Sequence, residues 1–209
     1  MTAPEMLTVL LQDTPYLLGG YGYNLLIAAL AMVVGTVAGC MTGMARHSRK
    51  RLLSMSGRLL SSLCRNVPSF VLMFYVAFIL PVEFQWGETL LRVPLWVKAM
   101  LALVFPVIGF MSDQSLAYLR QRQQGKPDAG AVFLVGWIQY FLIILMASST
   151  ASVIGVDEVV GRANRVIAID NSPGFLLLVY AYVCLWFLLT GQAISRGILA
   201  LQRLAYRSS

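Results

Sequence analysis

The residues best suited to hydrogen-bond a small polar molecule are gathered in Ser148-Ser149-Thr150-Ala151-Ser152, at the end of a long apolar stretch and just ahead of Asp157-Glu158. Such hydroxyls can stand in for water around a solute, but without a neighbouring base they are not activated nucleophiles. The single histidine, His47, lies in the basic run Arg46-His47-Ser48-Arg49-Lys50-Arg51 and supplies no such base. Cys40, Cys64 and Cys184 have no paired spacing and read as small buried hydrophobes. The phosphate-binding Gly-x-x-x-x-Gly-Lys-Ser/Thr loop is missing from the sequence, so the chain is not an ATPase by that route. The expectation is a chain with no catalytic, cofactor or metal residue of its own. Hydrocarbon cannot hydrogen-bond hydroxyls, so Ser148, Ser149, Thr150 and Ser152 either line a path or gate, or belong to a helix that reaches the interface and caps itself. Gln139, polar within the same apolar stretch, either faces a path or bonds a neighbouring helix.

The elements that would position these groups are membrane helices. Of 209 residues, 58% are hydrophobic and 12% charged, a composition that reads as an all-α integral membrane protein forming one domain over residues 1–209. Hydropathy places five spans at about Leu25–Ala45, Pro68–Leu80, Leu95–Ser112, Ala131–Ala147 and Pro173–Ile194. The second is short, and the preceding Leu59, Leu60, Leu63 and Cys64 can lengthen it through a proline kink. Twelve of the 16 basic residues fall on one side: Arg46, Arg49, Lys50, Arg51, Arg58, Arg65, Arg120, Arg122, Lys126, Arg196, Arg203 and Arg207. Positive charge marks the cytoplasmic side, so the N-terminus is outside and the C-terminus cytoplasmic. Seven of the nine acids (Glu5, Asp13, Glu83, Glu88, Asp157, Glu158, Asp170) fall opposite. The net charge of +7 is thereby explained without nucleic acid.

Residues 1–16 read as an outer interfacial helix ending near Pro15, without the basic start of a cleaved leader. Gly35, Gly39 and Gly43, four apart, make a face for close helix packing against a partner left open. The basic run after the first span suits an anchor on anionic lipid. Pro106 and Gly109 sit inside the third span, with Asp113 at its interfacial end. Residues 114–130 form a short cytoplasmic loop containing Arg120, Arg122 and Lys126. The mixed charges from Asp157 to Ser172 suit a solvated face or a docking surface for an extracytoplasmic partner. Residues 195–209, with Ile198, Leu199, Leu201 and Leu204, read as an interfacial cytoplasmic tail.

Two stretches carry a family resemblance. Arg65-Asn66-Val67-Pro68, with the aromatic span to Leu80-Pro81, is similar to the Arg-Gly-Thr-Pro segment and following helix in permease subunits of polar amino-acid ABC importers. Ser152-Val153-Ile154-Gly155-Val156-Asp157-Glu158 resembles that family's Ser-Val-Ile-Gly-Val followed by Pro and an acid, and Arg162-Ala163 falls near its Arg-Arg-Ala. The resemblance implies a type I permease fold in a bacterial inner membrane. It also implies a second permease subunit, cytoplasmic ATPase subunits carrying ATP and Mg, an extracytoplasmic solute-binding protein and surrounding membrane lipid as partners. Three family charges are missing, with Ser62 in place of Glu and Met146-Ala147 in place of Lys-Asp. The Glu-Ala-Ala coupling helices are also missing, since the loop carrying Arg120, Arg122 and Lys126 is too short for two helices. The expectation is the coupling-deficient half of an asymmetric pair, or a permease-derived structural or regulatory subunit.

Overall fold

Pro15 begins a helix where the sequence suggested an end. Its missing N–H falls among the first-turn donors that have no intrahelical acceptor, so α2 (Thr14–His47) starts immediately behind α1 (Ala3–Gln12) and runs for 34 residues. The computed structural model describes residues 2–86, 89–170 and 172–207. The other helices are α3 (Arg51–Asn66), α4 (Ser69–Ile79), α5 (Leu95–Gln123), α6 (Ala129–Ser148), α7 (Val159–Ile167) and α8 (Pro173–Arg207), with a 3₁₀ helix over Ser149–Ile154. An antiparallel hairpin, β1 (Glu83–Trp86) with β2 (Thr89–Arg92), joins α4 to α5 and pairs Glu83 with Arg92. It is a small extracytoplasmic addition to an all-α membrane fold. Glu88 lies outside the described residues, as do the side chains of Leu199, Leu201, Arg203, Leu204 and Arg207.

Among the described residues four segments are long and apolar enough to cross a membrane, Thr14–His47, Leu95–Gln123, Ala129–Ile154 and Pro173–Ile198, and α3 with α4 makes a fifth when the bent pair is taken as one broken span. The second expected span is this bent pair, and what differs is the sharpness of its break. α3 and α4 meet at 98°, so α3 does not lengthen α4 through a gentle kink. Val67 and Pro68 are extended, and proline disfavours helical backbone at the residue before it. α4, with 11 residues, rises about 16 Å, roughly half a hydrocarbon core. Its exposed carbonyl end is met by Lys98 of α5, fully buried, whose Nζ donates to Ala77 O at 3.0 Å and Leu80 O at 2.6 Å. A cation at a helix C-terminus satisfies both the free carbonyls and the dipole.

The bundle centres on α2 against α5. A Cβ added at Gly35 would lie 2.5 Å from Val107 Cβ, at Gly39 2.5 Å from Met111 Cβ, and at Gly43 2.7 Å from Ser115 Cβ. All three glycines therefore face α5 of this same chain, over successive turns. The main core joins this seam to α4 and α6 through Ile27, Met32, Met73, Leu103, Ile144 and Leu145. A second core at the outer end holds Leu10, Leu17 and Tyr21 against Val159 and Ala163 of α7 and Phe175 and Val179 of α8. The stretch expected to be a solvated face or a docking surface thus holds an amphipathic helix with one side buried. At the cytoplasmic end α5 continues to Gln123, and only residues 124–128 separate it from α6. Cys184 is exposed on α8, unlike buried Cys64.

Close approach at the seam makes a measurable demand. Gly39→Ala should force α2 and α5 apart, at a cost of about 1–3 kcal/mol for overpacking, lowering the thermal unfolding midpoint in detergent. An unchanged midpoint would show the seam to be slack.

Candidate functional site

Ser148 ends α6, and from there the chain tightens into the 3₁₀ helix and then turns at Gly155, whose φ of +89° suits a residue without a side chain. Each hydroxyl in the run turns back on its own helix. Ser148 Oγ donates to Leu145 O at 2.7 Å, Ser149 Oγ to Met146 O at 2.7 Å and Ser152 Oγ to Ser149 O at 3.1 Å. Thr150 Oγ1 lies 2.7 Å from Ala147 O and 3.3 Å from Met73 Sδ of α4, its one proton shared between them. This back-bonding serves carbonyls that lose their α-helical partners where the helix changes pitch. Ser148 is buried, whereas Ser149, Thr150 and Ser152 are half-buried.

What fixes the run in place is a residue the sequence reading passed over. Asn24, fully buried on α2, donates from Nδ2 to Ser148 Oγ at 3.0 Å and to Glu158 Oε2 at 2.9 Å, and its Oδ1 accepts from Val159 N at 3.1 Å. Glu158 is equally buried and corrects the expectation of a solvated acid. It is the N-cap of α7, accepting from Val160 N and Gly161 N at 3.0 Å each. The carboxylate thus sits at the positive end of a helix dipole and receives three N–H groups, which favour ionisation. Burial is the larger influence and pushes the Glu158 carboxyl up, against those hydrogen bonds. Alongside, Arg162 packs on the Tyr16 ring at 4.7 Å and donates to Tyr16 O at 2.7 Å, and with Arg165 it pairs with Asp157. These contacts clamp α7 to the first turn of α2.

Gln139 is exposed on α6 and bonds no other group among the described residues, which removes the neighbouring-helix reading within this chain. The adjacent polar groups are all occupied: Trp137 Nε1 donates to Thr36 Oγ1 at 2.8 Å, and the Tyr140 hydroxyl to Pro106 O at 3.0 Å. Arg120, Arg122 and Lys126 are exposed at the cytoplasmic end, with Arg122 against the Tyr118 ring. Asp113 is held between Arg46 Nη1, at 2.6 Å, and Arg65 Nη1. Arg46 also donates to Ser61 and Ser112, so it belongs to an internal ion cluster more than to the basic anchor. No group of His, Cys, Asp and Glu side chains suited to a metal ion occurs among the described residues.

Removing the cap exposes its worth. Glu158→Ala should cost roughly 2 kcal/mol or more, from the lost N-cap and a buried N–H left without its acceptor. For the wild type, a carboxyl raised on folding contributes stability that is complete below its unfolded pKa and is lost as pH rises through the folded one. Denaturation midpoints of wild type relative to Glu158→Gln should therefore rise as pH falls through the folded pKa. A difference independent of pH would mean that Glu158 titrates normally.

No protein-family model matches the chain. Among curated proteins, it is 38% identical over 71 residues to "Probable amino-acid ABC transporter permease protein YckA" of Bacillus subtilis, a stretch covering 34% of this chain and 31% of that protein. The matched part is thus about a third of that relative's length. Among solved structures, it superposes on a chain of "Crystal structure of an amino acid ABC transporter with histidines" with a TM-score of 0.74 and 15% identity, covering 92% of this chain and 95% of that one. The expected resemblance to permease subunits is borne out: this multi-pass membrane protein resembles an amino-acid ABC transporter permease in sequence over part of its length and has the fold of an amino acid ABC transporter chain.

Proposed function

We propose that the chain, as one domain over residues 1–209, is a transmembrane subunit of an ATP-driven importer for polar amino acids or related small solutes in a bacterial inner membrane. Within it, this chain is the half of an asymmetric pair that does not receive the ATPase stroke. The observation that carries this reading is the connection of residues 124–128 between α5 and α6 in a permease-like fold. A rigid lever with buried apolar grip is needed to transmit a closing movement. Five residues cannot form one, and Arg120, Arg122 and Lys126 offer only exposed contacts, worth little apiece. The partners are a second permease with an intact coupling helix, an ATPase pair holding ATP and Mg, a solute-binding protein meeting the α7 face, and membrane lipid.

Ser149, Thr150, Ser152 and Gln139 are the path-facing candidates, with Ser148 behind them. Gln139 supports a partner subunit across α6, because an amide left in hydrocarbon costs several kcal/mol. A second reading is a permease-derived structural or regulatory subunit. It is favoured by the hydroxyl run itself, whose donors are spent on carbonyls of its own segment.

Proteoliposomes holding the whole complex separate the two. Thr150→Val keeps the shape and removes the hydroxyl, and ATP-driven uptake should fall several-fold while ATP turnover continues. Uptake that persists when this chain is omitted would overturn the transport reading. Replacing Arg120, Arg122 and Lys126 together by Ala should leave assembly and ATP turnover nearly unchanged once topology has been checked by cysteine labelling. Release of the ATPase by that change would overturn the asymmetric reading.

A further inference from the structure

α3 presents three different faces. Its small residues Ser54, Gly57, Ser61 and Cys64 are buried against α2 and α5. Leu52, Leu59 and Leu63 are exposed on another side. Arg51, Arg58 and Arg65, spaced seven apart and all exposed, form a third edge, since residues i and i+7 share a face over two turns. The bend of 98° from α4 supplies the orientation. If α4 runs with the bundle, α3 lies in the membrane plane, at the end of the molecule where Arg46, Arg120 and Arg122 mark the cytoplasm.

The edge continues into a cluster whose charge does not balance. Arg46 and Arg65 share the single carboxylate of Asp113, leaving one positive charge over. Arg46 Nε is buried without a hydrogen-bond partner among the described residues, and Arg65, 46% exposed, spends only Nη1 on Asp113. An exposed apolar face beside a basic edge on an in-plane helix is the arrangement that seats in the headgroup region of a bilayer.

We propose that α3 is an interfacial helix whose Arg51–Arg58–Arg65 edge binds the phosphate of anionic phospholipid in the cytoplasmic leaflet. Leu52, Leu59 and Leu63 enter the acyl boundary, and the surplus charge at Arg65 ends the site. Lipid is the occupant that satisfies both exposed faces at once, whereas a soluble acidic partner would leave the leucines in water. The inference does not depend on the transport reading, because it concerns only how α3 meets the membrane.

The test uses the full chain in detergent. Its thermal unfolding midpoint is titrated with phosphatidylglycerol, with phosphatidylcholine and with inorganic phosphate. Phosphatidylglycerol should raise the midpoint saturably, and the other two should not. In the double variant Arg51→Gln, Arg58→Gln, which leaves the Asp113 cluster whole, the apparent affinity for phosphatidylglycerol should fall about tenfold or more, at roughly fivefold per arginine. Arg120→Gln with Arg122→Gln, the control, should leave the affinity unchanged. Equal stabilisation by phosphatidylcholine would overturn the proposal. So would an effect of inorganic phosphate equal to that of the lipid, which identifies a free-anion site. Full retention of the lipid effect in the α3 double variant would overturn it as well, placing the lipid elsewhere on the chain.

Discussion

Asn24 is the polar knot of the outer half. In hydrocarbon an amide must find its partners inside the protein, and this one commits both N–H groups and its carbonyl to Ser148, Glu158 and the Val159 main chain. α2 is thereby fixed to the end of α6 and the start of α7, 124 to 135 residues further along the chain. α6 has to end where Ser148 meets α2, and α7 has to start where Glu158 does. The back-bonded 3₁₀ helix and the positive φ at Gly155 are how the chain covers the distance between those two points. A buried carboxylate is costly alone, but at the N-terminus of α7, with an amide beside it, the same charge becomes the cap.

The cytoplasmic end solves the same problem by other means. There the polar groups are ions, Arg46 and Arg65 on Asp113, and the cluster opens towards water through Arg65 and Asp113. Such a pair is screened and adjustable. The outer network is neutral apart from one enclosed carboxylate, and it is geometrically strict. Between them runs the glycine seam of α2 and α5, where the main chains approach too closely for a Cβ. Lys98, fully buried on α5, is spent on the end of α4, which explains how so short a helix can stop where it does.

Much of this was legible in the sequence, for reasons that can be named. Four apolar segments are long enough to be unmistakable, charge asymmetry orients them, and a spacing of four in Gly35, Gly39 and Gly43 can only place them on one face. The family likeness rested on short motifs that sit at structural turning points, Arg65–Pro68 at the α3–α4 bend and Ser152–Glu158 at the 3₁₀-to-α7 turn. The bend itself was not legible, because a proline announces a break without giving its angle. Glu158 beside Asp157 looks like any pair of surface acids. The helical period Val159, Ala163, Val166 and Ile167 was the available sign that a buried face, and hence a cap, begins there. Asn24 and Lys98 were also detectable in principle, as lone polar residues bordering or inside apolar spans, a position that asks for a partner.

The distribution of tight and loose contacts also limits which parts can move. α2 and α5 are interlocked over three successive turns, so sliding them would require repacking Val107, Met111 and Ser115 at once. α7 and the end of α6 are tied to α2 by Asn24 and by the Arg162 clamp, and α8 shares the outer core with them. These segments therefore form one body. α4 is held differently, by Met73 in the main core and near Thr150, by Lys98 at its carbonyl end, and by a bend at its start. Neither the sulfur contact nor a lysine on main-chain carbonyls is as demanding in geometry as a main chain packed against a glycine.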